Sequence, residues 1–342
     1  MREKTLELMR QLAPDLTEEI GRRARMIEKI AALQPVGRRQ LAALLHLPER
    51  EVRNTAALLR DMGYVELNTS GMTLSPRAFE MLEDVRELSR QMGGMETLER
   101  RLESLLPVDR VLIAPGNADE EPQVLSEVGR LCAGRLRSIL KGGNTLAVTG
   151  GRTVAAVAHG LTGAHGLNVM VVPARGGIGH SVEWQANTLA EEIAGRLGGH
   201  YRLIHLPDLM EAPAMEELLK LPEIREVMEL LQRADVILHG IARADGAMKD
   251  RGLSRQTQMK LTADGARGEC FGAFFTLEGK SLLQSSRIGV DLGRLKPTCR
   301  MVAAAAGASK AEAILSVLRY RRHALLVTDE AAAEGILGLV TQ

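Results

Sequence analysis

The chemistry-bearing residues of this 342-residue chain gather in loops that follow short apolar runs. Thr149-Gly150-Gly151-Arg152-Thr153 comes directly after Leu146–Val148 and opens a helical segment. Two glycines let backbone N–H groups turn inward, the helix dipole favours an anion, and threonine and arginine add donors. This is a phosphate cradle, with a structural Gly-Gly turn as its alternative. It is not a Walker A loop, because Gly279-Lys280-Ser281 matches only the tail of that pattern and position 274 is Phe. Gly176-Gly177-Ile178-Gly179 likewise fails the dinucleotide fingerprint GxGxxG.

Other loops carry Arg175, Gln185, Asp250, Arg251, Glu269 and Lys310, the last in Gly307-Ala308-Ser309-Lys310 before another helix. Each alone reads as an ordinary surface loop. Together they place guanidinium, ammonium, amide and carboxylate groups where a ligand with two anionic groups and sugar hydroxyls would suit them. Proton-transfer chemistry on a sugar phosphate would need a positioned acid–base group. Asp245 and Glu269 are the carboxylates to nominate, and neither has a histidine or second acid at recognisable spacing. A sugar-phosphate isomerase or deaminase is therefore the lesser reading.

A different chemistry lies near the start of the chain. Residues 21–60 hold nine Lys/Arg against three acids, in a protein of net charge +1. Such a local excess suits a phosphate backbone. Ile20, Ala24, Ile27, Ile30 and Ala31 recur at helical spacing, with Thr17 as the expected N-cap and Pro35 past the end. A short helix over 38–45 follows, then a turn at His46-Leu47-Pro48, then a helix to about Met62 that turns Arg50, Arg53 and Asn54 outward. Arginine reads guanine and asparagine reads adenine in a major groove. Tyr64–Leu67 and Met72–Ser75 around Asn68–Gly71 add a hairpin. The expectation is a winged helix-turn-helix over 1–90 that binds double-stranded operator DNA. Its candidate contacts are Arg22, Arg23, Arg38, Arg39, Gln40, Arg50, Arg53 and Asn54. Only 2% of the chain is aromatic, which leaves few base-stacking platforms and disfavours RNA.

The elements that must hold these groups follow from texture. Ser75-Pro76 opens a helix as N-cap and N1. Phe79, Leu82, Val85, Leu88, Met92, Met95, Leu98, Leu102 and Leu105 then form a seam, interrupted by Gly93-Gly94. Two helices with a hinge are expected, with 91–106 as linker and dimerisation segment; packing against the chain's own domains is the alternative. Beyond Pro107, six apolar runs (Val111–Ala114, Leu146–Val148, Val169–Val172, Val236–Leu238, Met301–Ala304, Leu325–Val327) alternate with helical segments. The fold class is α/β, with a largely parallel sheet over 107–342 and ligands at the strands' carboxyl ends. Three distant cysteines give neither a disulfide framework nor metal-site spacing, and no apolar run is long enough for a membrane span. With no apolar leader at the N-terminus, a cytoplasmic protein without cofactor or metal is expected.

The helix-turn-helix, the strand–TGGRT–helix loop, the PARGG segment and the late GASK together resemble the SorC family of bacterial sugar-responsive transcription regulators, across essentially the whole chain. The resemblance implies a Rossmann-like effector domain similar to sugar-phosphate isomerases and deaminases, and dimers or tetramers on DNA. It further implies a repressor of a glycolytic operon that includes glyceraldehyde-3-phosphate dehydrogenase, with fructose 1,6-bisphosphate as inducer; a sibling responding to a sugar monophosphate is the alternative. By the same resemblance the first phosphate falls on Thr149 to Thr153, with Arg152 as a guanidinium contact. The remaining contacts fall on Arg175, Gln185, the Asp250-Arg251 segment, Glu269 and Lys310.

Overall fold

The computed structural model describes residues 8–9, 11–45, 47–92, 95–162, 166–177, 181–206, 217–284 and 289–341. The chain forms two compact units, Met1–Glu96 and Thr97–Gln342. Expected features at His46, at Gly93-Gly94 and at Ile178-Gly179 lie outside the described residues.

In the first unit, α1 (Pro14–Leu33), α2 (Arg38–Leu44) and α3 (Glu49–Asp61) enclose Ile27, Ile30, Leu41, Val52 and Leu59. Thr17 is not the cap of α1. The helix starts at Pro14, whose fixed φ suits a first turn, and the Thr17 hydroxyl donates back to the Ala13 carbonyl at 2.7 Å. The hairpin β1 (Val65–Asn68) and β2 (Gly71–Leu74) pairs Val65 with Leu74 and Asn68 with Gly71. Ser75 caps α4 (Pro76–Glu80) by accepting from the Ala78 N–H at 3.2 Å, and donates to the Gly63 carbonyl at 2.7 Å. This ties the helix to the root of the wing. α5 (Leu82–Met92) ends the unit, and Leu82 and Val85 of the expected seam pack into the same core as Ile30 and Leu41.

α6 (Met95–Leu105) crosses between the units along the chain. Leu102 is buried, whereas Phe79 and Leu105 are exposed. Much of the apolar seam is thus consumed inside the chain. The second unit is built on a seven-stranded parallel sheet, order β3-β13-β12-β7-β4-β5-β6. Its strands are β3 (Val111–Ala114), β4 (Thr145–Val148), β5 (Met170–Pro173), β6 (His200–Tyr201), β7 (Val236–His239), β12 (Arg300–Ala304) and β13 (Leu325–Asp329). The six expected apolar runs all lie in this sheet, because strands covered on both faces must be apolar throughout. α7 (Pro122–Ile139), α8 (Arg152–Gly160), α9 (Ala186–Leu197) and α10 (Pro222–Gln232) alternate with them, and α11 (Ala244–Asp250) and α12 (Arg255–Ala263) follow β7. From the β4–β7 boundary the chain winds outward in both directions, which opens a crevice at the carboxyl ends.

β3 is a sheet edge, and its outward N–H groups are not left bare. Ile113 donates to Glu99 at 2.8 Å and Val111 to Glu103 at 2.9 Å, both carboxylates lying on α6.

A second sheet, order β11-β10-β9-β8, has no counterpart in the sequence reading. Its antiparallel strands are β8 (Ala242–Arg243), β9 (Ala266–Cys270), β10 (Ala273–Thr276) and β11 (Ser281–Gln284). Phe274 and Phe275 of β10 are fully buried.

Candidate functional site

The site begins where β4 ends. The Thr149 N–H donates to the Leu238 carbonyl at 3.0 Å, and its hydroxyl accepts from the Gly240 N–H at 3.1 Å. This side chain, expected at the phosphate, fastens the end of β4 to the end of β7. Gly150 faces the carbonyl of Trp184 so closely that a Cβ would overlap it. The Gly151 N–H donates to the same carbonyl at 2.8 Å. Gly151 sits at φ +114°, a backbone region essentially reserved for glycine, and leads into α8 with no side chain capping that helix. The N-terminus of α8 is thus presented as an anion site. Thr153 is buried in its first turn, and the Arg152 guanidinium lies 5.1 Å over the Trp184 ring.

A cavity of about 410 Å³ opens beside this turn. Gly150, Gly151, Arg175, Gln185, Asp250, Arg251 and Glu269 line it, so loops dispersed over more than a hundred residues do converge. Thr149, Arg152, Thr153 and Lys310 are not among its lining residues. Ser181 and Trp184 also line the cavity, and sequence reasoning did not place them there. The adjacency of Trp184 to Gln185 was the available signal.

Glu269 organises the polar wall. Its Oε1 accepts from Arg251 Nη2 at 2.9 Å, from Arg175 Nη1 at 3.3 Å and from the Gly272 N–H at 2.7 Å. All three side chains are largely buried: Arg251 is 2% exposed, Glu269 7% and Arg175 11%. One carboxylate is thus shared between two guanidinium groups, with the Asp250 carboxylate also on the cavity lining, so this wall offers both donors and acceptors to a ligand. The tight turn between β9 and β10 brings Gly272 to Glu269, and Val290 donates to the Ala174 carbonyl at 2.8 Å beside Arg175. The unforeseen antiparallel sheet is what carries Glu269 to the cavity. Neither nominated acid–base group stands open, since Arg251 and Arg175 hold Glu269. The Arg243 guanidinium, 2.7 Å from Asp245, holds that carboxyl below its ordinary value.

Lys310 ends a 3₁₀ turn, Ala308–Lys310, ahead of α13 (Ala311–Tyr320). Burial pulls its ammonium below the ordinary lysine value; Asp119 and Asp329 oppose this, and Arg152 adds to it. Behind the cradle, Nε2 of His239 and Nε2 of His323 lie 2.9 Å apart, with both rings buried. Burial lowers His239 to about 3 and His323 to about 4, so both are neutral at pH 7.

In the first unit Arg38, Arg39, Gln40, Arg50, Arg53 and Asn54 are exposed. Arg22 bridges α1 to α3 through Glu51 at 3.2 Å, and Arg23 pairs with Glu19 at 2.8 Å. Those two arginines are half-engaged within the unit, which leaves the second-helix face as the freer one. Arg53→Ala and Asn54→Ala are each expected to weaken binding to the matching operator by about 1–3 kcal/mol. Fluorescence anisotropy against operator and random duplexes checks this; an equal loss on both duplexes would show that they do not read bases.

Comparison with known proteins adds to this geometry. The "Putative sugar-binding domain" family matches residues 90–338, and the CggR N-terminal DNA binding domain matches residues 19–89. The chain is 34% identical to the Central glycolytic genes regulator of Priestia megaterium, over 97% of this chain and 98% of that protein. It is 32% identical to the protein of that name from Bacillus subtilis, with the same coverage. Among solved structures, a SorC family transcriptional regulator from Enterococcus faecalis aligns with a TM-score of 0.66 and 35% identity, over 70% of this chain and 99% of that one. The full-length Sorbitol Operon Regulator from Klebsiella pneumoniae shares the fold over 92% of this chain and 98% of its own, with a TM-score of 0.65 and 23% identity.

Proposed function

Because the chain belongs to the SorC family of sugar-binding transcription regulators, we propose that it represses an operon of glycolytic genes and is induced by fructose 1,6-bisphosphate. The observation that carries the bisphosphate is the pairing of two anion sites around one cavity. One is the uncapped N-terminus of α8 after Gly150-Gly151; the other is the Arg175–Glu269–Arg251 cluster. A bisphosphate can address both at once, one phosphate at the helix N-terminus and the other at the guanidinium groups, whereas a monophosphate reaches only one. Gln185, Asp250 and Glu269 then meet the hydroxyls between them. Assembly into dimers or tetramers on DNA belongs to the same proposal.

The test uses the full chain. Trp184 is the sole tryptophan and lines the cavity, so its fluorescence reports occupancy. Fructose 1,6-bisphosphate is expected to perturb that signal, raise the melting temperature by mass action and lower operator affinity. Fructose 6-phosphate should do so only at much higher concentration. Arg175→Ala should narrow the gap between the two sugars. Equal affinity of the parent for both would remove the bisphosphate from the proposal and leave a regulator of another effector.

A further inference from the structure

Among the described residues, two that are not glycine stand in the left-handed backbone region, Asn168 and Phe271. Asparagine visits that region readily, whereas an aromatic residue there is an outlier. Phe271 at φ +52° and Gly272 at φ +83° are the two central residues of the hairpin that pairs Cys270 of β9 with Ala273 of β10. Asn-Gly is the pair that such a turn takes without strain. A strained phenylalanine persists there only if its surroundings over-determine it.

They do. The Phe271 ring is buried, and its centroid lies 4.8 Å from that of the His239 ring. His239 ends β7, and its imidazole is held at both nitrogens: Nδ1 is 3.1 Å from the Gly240 carbonyl oxygen, and Nε2 is 2.9 Å from Nε2 of His323. His323 is fixed in turn, since its N–H donates to the Pro107 carbonyl at 3.0 Å and its carbonyl accepts from the Asp109 N–H at 2.9 Å. The Phe271 ring therefore rests on a rigid platform at the carboxyl end of the parallel sheet. On the other side of Glu269, Gly268 packs so tightly on α13 that a Cβ would overlap Ser316 and the Ala313 carbonyl. Glu269 lies between these two pins, and the Gly272 N–H of the strained turn donates to it at 2.7 Å.

We propose that Phe271 is a positioning residue of the effector site. It seats the β9–β10 turn on the His239–His323 pair, and so fixes Glu269, and through Glu269 the two guanidinium groups, at a set distance from the N-terminus of α8. This rests on the two-anion reading above. One anion site belongs to the parallel sheet, where α8 follows β4; the carboxylate that orders the other belongs to β9 of the antiparallel sheet. A bisphosphate spans both, so its affinity depends on their separation being fixed in advance. A monophosphate seated at α8 alone has no such dependence.

The test titrates the full-length parent, Phe271→Asn, Phe271→Leu and Phe275→Leu with fructose 1,6-bisphosphate and fructose 6-phosphate, by Trp184 fluorescence and calorimetry. Phe271→Asn relieves the turn and removes the ring, whereas Phe271→Leu keeps apolar bulk without the ring. Phe275, fully buried in β10 and stacked on Tyr320 at 4.8 Å, supplies the structural control. Phe271→Asn is expected to weaken fructose 1,6-bisphosphate binding about tenfold, the cost of re-ordering two arginine side chains on binding, and Phe271→Leu about threefold. Fructose 6-phosphate affinity should change by less than about twofold, so the gap between the sugars narrows. Phe275→Leu should lower the urea midpoint and leave that gap as in the parent. Phe271→Leu decides the matter if the asparagine variant does not fold. A gap unchanged by the Phe271 substitutions, or narrowed as much by Phe275→Leu, overturns the positioning role and leaves the two-anion reading standing. A parent that binds both sugars equally overturns the two together.

Discussion

Replacing Glu269 with alanine is expected to cost the effector unit about 3–5 kcal/mol of stability, the usual consequence of deleting one partner of a buried ion pair. Arg251 and Arg175 would then face each other with no carboxylate between them, Arg251 almost wholly out of water. The Gly272 N–H would lose its acceptor as well. Urea unfolding followed by circular dichroism measures the loss. Glu269→Gln, which retains an acceptor but not the charge, should fall between parent and alanine variant. The informative arm adds ligand: fructose 1,6-bisphosphate should restore more stability to Glu269→Ala than it adds to the parent, because its phosphate can serve as the missing counter-ion. A loss below about 1 kcal/mol, the range of exposed pairs, would mean that water already reaches both guanidinium groups.

Gly150→Val is expected to abolish the effector response without unfolding the DNA-binding unit. A Cβ at this position would overlap the Trp184 carbonyl, which is backbone and cannot rotate away. The bond from Gly151 to that carbonyl would break, and the turn presenting α8 would shift. Losing even two charge-assisted hydrogen bonds of about 1.5–3 kcal/mol each weakens binding by 100-fold or more. Gly151→Ala tests a separate cause, since space is open there and the φ of +114° is what opposes a side chain. That strain is about 1–3 kcal/mol. Gly134→Ala, on an open face of α7, is the control, and should leave ligand binding intact. Ligand affinity for Gly150→Val within a few-fold of the parent would separate this turn from the effector.

The sequence displays some of these features and hides others for physical reasons. The parallel strands are legible because burial on both faces leaves continuous runs such as Val169–Val172 and Leu325–Val327. The antiparallel sheet is not, since Ala266–Cys270 reads Ala-Arg-Gly-Glu-Cys and Ala242–Arg243 is two residues long. Neither shows a period. Loop composition picks out the individual residues at the cavity, but the convergence of Arg175 and Arg251 on one carboxylate depends on contacts 94 and 18 residues apart. Charge counting marks residues 21–60 as basic, yet cannot see that Glu19 and Glu51 engage Arg22 and Arg23. The same holds for Thr149, whose hydroxyl is equally suited to a phosphate and to the Gly240 N–H it meets.

The two glutamates of α6 that hold β3 also set a mechanical rule. Glu99 and Glu103 are four residues apart on a helix, a rise of about 6 Å, and Val111 and Ile113 are two apart on a strand, about 6.6 Å. Helix and strand are therefore geared to one another like two racks of matching pitch. A small axial slide lengthens both bonds at once, and no intermediate position offers a carboxylate to either N–H. One helical turn away stand Met95 and Pro107, neither of which carries a carboxylate, so both bonds are made together in this register. The pair therefore fixes the axial position of α6 on the sheet edge, and a displacement of the helix would have to break both bonds together.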